Sequence, residues 1–247
     1  YNGACLLPIY EVYRSLVRAK ILSIKLREAG APETAESDRS AMERYCDLAS
    51  ALTRPQHPVL VAMTGFSGSG KSWLSKRLAP DLTAIRLRSD LERKRLAGLG
   101  PTADSQSGIG SGIYDRATTA TVYDQLLETA GELLRAGLNV IVDASFLSGS
   151  HRQLARQTAA RSGANFALVR TVASETGLRK RLKHRAEGTS VSEADIAVLH
   201  NQLDSADPLA ADEMDSAITV DTEQGIDIQE LTSELRGIAV KASAEPS

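Results

Sequence analysis

The sequence is poor in sulfur and in aromatic rings: it has two cysteines, Cys5 and Cys46, and aromatic residues make up 4% of its 247 positions. The two cysteines match neither a disulfide framework nor a zinc-binding pattern, so ordinary thiols in a reducing cytoplasm are expected. The scarcity of aromatics argues against the stacking platforms on which proteins hold single-stranded nucleic acid. No charge of one sign dominates. Lys and Arg number 29 against 31 Asp and Glu, a net charge of −2, which excludes a global basic field for nucleic acid or membrane and makes any basic function local. The longest apolar stretches, such as VLVAM at 59–63, fall far short of the roughly 18 residues of a membrane-spanning helix. The histidines His57, His151, His184 and His200 are scattered and lack metal-ligand spacing. No secretory signal is visible, but the chain opens on Tyr1 rather than Met, so it is expected to be a piece of a longer protein whose missing part could carry targeting information.

What is present reads as a soluble globular chain, 42% hydrophobic and 24% charged. Its length suits one domain of about 190 residues plus an appendage. Over 9–27, Ile9, Tyr13, Leu16, Lys20 and Ile24 fall at helical spacing with Arg14, Arg18 and Lys25 interleaved. A second helical stretch carries Met42, Tyr45, Leu48, Ala49 and Leu52 and stops before TRPQHP, whose prolines act as breakers. Residues 1–52 are thus expected to form a helical appendage, 53–58 a linker, and 59–247 a separate domain.

In that domain the pattern becomes α/β. Strands are expected at Val59–Met63, Ala84–Leu87, Val140–Val142, Phe166–Val172 and Ala217–Val220, with helices at about 71–79, 91–97, 113–136, 150–162, 175–186, 192–205 and 226–240. Alternation of this kind implies a five-stranded parallel sheet with helices on both faces. Ser192 and Asp195 are spaced as a capping box. The Gly- and Ser-rich stretch 98–112 reads as a mobile loop.

The segment VLVAMTGFSGSGKSWLSKRLA carries the most specific motif. Gly65, Gly70, Lys71 and Ser72 satisfy G-x-x-x-x-G-K-[ST] directly between a strand and a helix. Small residues at Gly65, Ser67, Gly68, Ser69 and Gly70 let successive backbone N–H groups curl round phosphate oxygens, and the helix N-terminus adds positive potential. Lys71 is placed to reach the β- and γ-phosphates and the Ser72 hydroxyl to help hold Mg²⁺. Trp73 is placed to border the nucleotide, although a lone aromatic beside a helix more often packs. The motif implies a P-loop NTPase fold that binds a nucleoside triphosphate, with ATP and Mg²⁺ the expected cofactors.

The reaction needs further residues. No N-K-x-D motif marks a GTPase, and nothing resembles the L-S-G-G-Q signature of ABC-type ATPases. Asp143 ends the apolar run NVIVD and is followed by Ala144, not by the glutamate with which many motor ATPases activate water. A kinase fits better, and it needs a base near the γ-phosphate, a carboxylate on the metal or substrate side, and cations over the phosphates. Asp90, just beyond the second strand, and Asp143 both fall at carboxyl ends of parallel strands, where ligands bind. Arg181 and Arg185 lie four apart on one face of a basic helix. Each has a plainer alternative. Asp90 could simply cap the helix LERKRL, and basic helices are commonly solvated faces.

These pieces together resemble small P-loop kinases of the zeta-toxin, chloramphenicol phosphotransferase and polynucleotide kinase group, over 59 to about 222. The matching stretches are GFSGSGKS, LRSDLERKRL, GLNVIVDASF followed by HRQLARQTAA, and GLRKRLKHRAEG. The resemblance implies that Asp90 is the general base, that Arg93 contacts substrate, that Arg181 and Arg185 stabilise the transferred phosphoryl group, and that Asp143 serves substrate or metal. It leaves Arg86, Arg88, Glu92, Lys94 and Arg95 to a solvated face. Residues 10–27 more weakly resemble the closing helices of an aminoglycoside-phosphotransferase-like domain, which implies such a domain upstream. Two helices that merely pack on the P-loop domain describe them as well. Ser111, Tyr114 and Arg116 flank the mobile loop and are candidates for specificity contacts, and Gln202 has no assigned role.

The expected protein is a cytoplasmic, ATP- and Mg²⁺-dependent phosphotransferase acting on a hydroxyl of a small molecule. The other readings are an ATP-binding regulatory module and a kinase of polynucleotides or nucleosides, the nucleic-acid partner being disfavoured by composition.

Overall fold

The structure, a computed structural model, describes residues 3–28, 32–54, 57–100, 116–186 and 193–241. It divides into two compact units, Tyr1–Gln56 and His57–Ser247. The first is a helical pair, α1 (Leu7–Glu28) packed along α2 (Pro32–Leu52). Ser15, Ala19 and Ala49 are its buried positions, small side chains that let the two helices approach closely. The larger Ile9, Tyr13 and Leu16, whose spacing announces the helix, are exposed.

The second unit is an α/β sandwich built on a five-stranded sheet in the order β2-β3-β1-β4-β5, with every pairing parallel. Its strands are β1 (Val59–Thr64), β2 (Ala84–Arg88), β3 (Asn139–Asp143), β4 (Asn165–Val172) and β5 (Ile218–Asp221). β1 is buried at every position, as a central strand covered on both faces must be. On one face Val59, Val61, Met63, Ile141 and Val169 pack with Leu74 and Leu78 of α3 (Lys71–Asp81) and Leu231 and Leu235 of α10 (Ile228–Lys241). The opposite face is covered by α5 (Arg116–Arg135) and α6 (Gly149–Arg161). Val122, Leu126, Leu127, Ala130, Leu133 and Leu134 of α5 recur at helical spacing and are buried. Each of its leucines contributes roughly 1.5–3 kcal/mol of burial.

Four further α-helices belong to this unit among the described residues: α4 (Ser89–Leu96), α7 (Glu175–Ala186), α8 (Glu193–Ser205) and α9 (Ala211–Ser216). The last, an acidic segment of six residues, has no apolar periodicity to announce it. The expected capping residue Ser192 and most of the Gly- and Ser-rich stretch, from 101 onward, lie outside the described residues.

The strand order places the functional end of the molecule. The chain leaves β1 for the β2–β3 side, then crosses back to pair β4 on the other side of β1. The crevice at such a reversal, beyond the carboxyl end of β1, is where open α/β sheets bind ligands. The loop 65–70 lies there, and so do the segments that follow β2 and β3.

Candidate active site

β1 runs into the loop through anchored backbone. The Thr64 hydroxyl donates to the Phe146 carbonyl at 3.2 Å, and the Gly65 N–H donates to the Ser145 carbonyl at 3.2 Å. Gly65 adopts φ +144°, and a Cβ there would lie 2.5 Å from the Thr171 carbonyl oxygen and 2.7 Å from Ser69 Oγ. Only glycine fits this turn. Ser69 Oγ and Thr171 Oγ1 are 2.7 Å apart, so β4 braces the loop from behind. Helix α3 then opens at Gly70 with no side-chain cap and no acidic residue in its first turn. Its N-terminal potential is therefore left for an external anion. Lys71 Nζ donates to the carbonyls of Gly65 (2.8 Å) and Phe66 (2.7 Å), which keeps its charge at the loop.

Asp143, at the end of β3, organises the next layer. Its carboxylate is buried, with 3% of the side chain exposed. Oδ1 accepts from the Ser72 hydroxyl at 3.2 Å, and Oδ2 forms an ion pair with Arg86. The same Arg86 nitrogen donates to the Ser72 carbonyl at 3.1 Å. Arg86 is therefore no solvated-face residue. The strand places it on the face shared with Asp143, because Arg88 pairs with Asp143 and Arg86 with Ile141 in the parallel register. Glu92 also departs from the solvated-face reading: it is buried, and Arg95 holds it through hydrogen bonds of 3.0 and 2.5 Å that raise the Arg95 pKa.

Asp90 sits in the first turn of α4. Ser89 Oγ donates to the Asp143 carbonyl at 3.2 Å, which ties that turn to the Asp143 layer. The Asp90 side chain is 69% exposed, with Arg88 3.5 Å away. Arg93 donates to Thr119 Oγ1 at 3.1 Å, bridging α4 and α5.

On the opposite side Arg181 of α7 donates to the Gly68 carbonyl (3.3 Å), to Thr222 Oγ1 (2.6 Å) and to the Thr222 carbonyl (2.7 Å). It clasps the phosphate loop and the segment after β5 together. Arg185 falls in the last turn of α7, where its side chain is outside the described residues. Trp73 is exposed and carries the Arg77 guanidinium 3.8 Å from its ring centroid. Ser111 and Tyr114 lie outside the described residues, and Arg116 opens α5.

Two residues join the site without a sequence signal of their own. Gln202 of α8 accepts the Ser67 N–H at 2.7 Å, while Leu199, one helical turn before it, packs with Leu178, Leu182 and Phe66. Arg152 of α6, 2% exposed, donates to the Phe146 and Leu147 carbonyls at 3.2 Å and to both oxygens of Glu213, whose pKa it holds below the usual carboxylate range. Phe146 needs such support, because its φ of +44° is a left-handed conformation in a buried aromatic residue. Its N–H donates to the Tyr123 hydroxyl at 3.1 Å, and the two rings meet edge to face at 5.1 Å. Burial pushes the Tyr123 phenol up, and hydrogen bonds to Ser145 and Phe146 offset part of that shift. His151 stacks on Tyr123 at 3.9 Å, and burial lowers its pKa.

The residues fit a phosphate group. A glycine cradle that a single Cβ would fill, an uncapped helix start and a lysine at the same loop form an anion site. A hydroxyl and a carboxylate, Ser72 and Asp143, are hard oxygen donors suited to Mg²⁺. No group of three or more His, Cys, Asp or Glu side chains that could hold a metal unaided occurs among the described residues.

Fold and site define a P-loop protein built on a five-stranded parallel sheet. The model of the AAA domain family (AAA_33) matches residues 60–209, more than half of the chain, and the chain belongs to that family. The uncharacterized protein Rv2004c of Mycobacterium tuberculosis is 31% identical over 196 residues, which cover 78% of this chain and 38% of that protein. The uncharacterized protein Mb2027c of Mycobacterium bovis matches to the same extent. The chain thus spans less than half the length of these curated relatives. Among solved structures, a sugar kinase from Janibacter sp. aligns with TM-score 0.51 and 19% identity, covering 78% of this chain and 100% of that one. Kti12 from Chaetomium thermophilum, in complex with ADP-AlF3, aligns with TM-score 0.57 and 11% identity, covering 73% and 99%. These two likenesses establish the fold. No helix among the described residues is long and apolar enough to cross a membrane.

Proposed function

We propose that this chain is a kinase that transfers the γ-phosphoryl group of ATP to a hydroxyl of a small molecule. The observation that carries the reading is the chain of contacts Ser72–Asp143–Ser89. It links the phosphate loop, a buried carboxylate and the turn bearing the exposed Asp90 at one end of the sheet. In this reading the loop amides, Lys71 and the start of α3 bind and orient the phosphates. Ser72 and Asp143 would hold Mg²⁺, which when bound neutralises charge on the phosphate oxygens. Asp90 accepts the proton of the acceptor hydroxyl, and its exposure leaves the carboxylate open to an incoming alcohol. Arg181, at the Gly68 carbonyl, and Arg185 offset the negative charge of the transferred group. Arg93 contributes to acceptor binding beside Asp90. Position 144, buried beside Asp143, is an alanine, so that position offers no carboxylate to activate water.

The acceptor class is narrowed by composition rather than by geometry: few aromatics and a net charge of −2 disfavour an oligonucleotide. From the resemblance of residues 10–27 we also propose that a phosphotransferase-like domain precedes this one in the full-length protein, which would act in the cytoplasm.

The test is a screen of sugars, nucleosides, other small alcohols and oligonucleotides for label transferred from γ-labelled ATP. An alcohol phosphorylated by the wild type, and not by Asp90→Asn, supports the reading. Tight ATP binding with no transfer to any acceptor, unchanged in Asp90→Asn, would replace it with a regulatory nucleotide-binding module.

A further inference from the structure

Arg86 is a cation that reaches the buried carboxylate of the site. Asp143 is 3% exposed and the Arg86 side chain 17%, so their pairing is poorly screened by solvent. Arg86 also donates to the Ser72 carbonyl at 3.1 Å, and the Ser72 hydroxyl donates to Asp143 Oδ1 at 3.2 Å. Both oxygens of Asp143 are therefore engaged by the chain itself, one by a hydroxyl and one by a full positive charge. Arg86 Nε is buried and has no hydrogen-bond partner, while the terminal nitrogen of the same guanidinium meets the carboxylate.

We propose that Arg86 is a specificity-determining residue that stops Asp143 and Ser72 from taking a divalent cation by themselves, so that the metal enters only with a nucleotide. The inference rests on the nucleotide-site reading given above. A carboxylate and a hydroxyl are too few ligands for tight Mg²⁺ binding, since that ion commonly draws further oxygens from substrate phosphates. A fixed guanidinium on the same carboxylate makes the deficit larger by direct repulsion between cations in a weakly screened site. A nucleotide brings negative oxygens that reverse the balance, so metal and nucleotide bind as a pair. Arg86 acts on the metal through Asp143 and needs no contact with the reacting atoms.

Mn²⁺ binding to the full chain, followed by the paramagnetic resonance of the free ion, tests this without an activity assay. The wild type should bind Mn²⁺ weakly alone and, once the Mn²⁺ held by ADP in protein-free solution is subtracted, at least about tenfold more tightly with ADP present. Arg86→Gln should bind Mn²⁺ alone at least about tenfold more tightly than the wild type, and adding Asp143→Asn should abolish that gain. Arg86→Lys keeps the charge and should stay near the wild type. Wild-type binding of Mn²⁺ alone as tight as that of Arg86→Gln overturns the proposal, and so does a gain in Arg86→Lys equal to that in Arg86→Gln. Should Arg86→Gln not fold, the wild type decides: affinity for Mn²⁺ that ADP does not improve refutes the role. ADP titrated separately distinguishes the two readings, because ADP that binds neither protein would remove the nucleotide site and not merely the role of Arg86.

Discussion

Gly65→Ala offers a prediction whose size follows from the structure. The added methyl would sit 2.5 Å from the Thr171 carbonyl oxygen, 2.6 Å from Thr171 Oγ1 and 2.7 Å from Ser69 Oγ. The first of these is backbone of β4, held in the ladder between β1 and β5, so the loop has to move instead. Overpacking of this kind costs about 1–3 kcal/mol, and φ of +144° adds strain of about 1–3 kcal/mol for any L side chain. A total near 3 kcal/mol would lower the melting temperature of a unit of this size by about 6–12 °C. Gly163→Ala is the matched control. It has φ +65° with nothing within 4 Å of its Cβ, so it carries strain of about 1–2 kcal/mol and no clash. Thermal melts of both variants, with ADP affinity by titration calorimetry, separate the two effects. Gly65→Ala should melt lower than Gly163→Ala and lose at least about tenfold in ADP affinity, while Gly163→Ala keeps wild-type affinity. Equal melting temperatures with unchanged ADP binding would refute the claim that Gly65 shapes a phosphate cradle.

Other residues give independent checks. Lys71→Ala should weaken ADP binding by at least about tenfold, and unchanged binding by calorimetry would remove Lys71 from the phosphate site. Asp90→Asn should abolish phosphoryl transfer while ATP affinity stays within about threefold, because the proposed role gives its carboxylate to the acceptor hydroxyl and not to the nucleotide; equal losses of both would contradict that role. Arg152→Met should destabilise by about 3–5 kcal/mol in denaturant melts by leaving Glu213 unpaired, and Arg152→Met/Glu213→Gln should recover part of the loss. His151 has a folded-state pKa below its unfolded value, so its contribution is present above about pH 6.5 and is lost as the pH falls through the folded pKa. Glu213 is likewise depressed and adds a second loss below about pH 4.5. His151→Phe, which preserves the stack on Tyr123, should flatten the fall in stability that begins below about pH 6.5, and an unchanged pH profile would show that His151 does not titrate with folding.

Much of this architecture is legible in the sequence because it rests on local pattern. The run 59–63 is apolar without alternation, the mark of a strand covered on both faces, and the motif 65–72 can be read from residue type and spacing alone. Asp143 is equally plain, as the first charge after NVIV. Arg86 is not. In IRLRSD it looks like part of a charge run, and only the parallel register with β3 brings it to the Asp143 side. The alternation Arg86, Leu87, Arg88 was the available signal, since it sets two arginines on one face of a strand. Gln202 had no such signal, because its contact with Ser67 joins residues 135 apart in the chain. Ile9, Tyr13 and Leu16 show the converse: periodicity announced their helix but not the face it buries, which small residues decide.

The central claim is phosphoryl transfer by the residues that Asp143 draws together. The most direct measurement is the fate of the γ-label of ATP when the chain is supplied with an extract of small hydroxyl compounds. A labelled alcohol product from the wild type, absent with Asp90→Asn although that variant still binds ATP, is the predicted result. Label recovered solely as inorganic phosphate, or product formed equally by both proteins, would contradict the account.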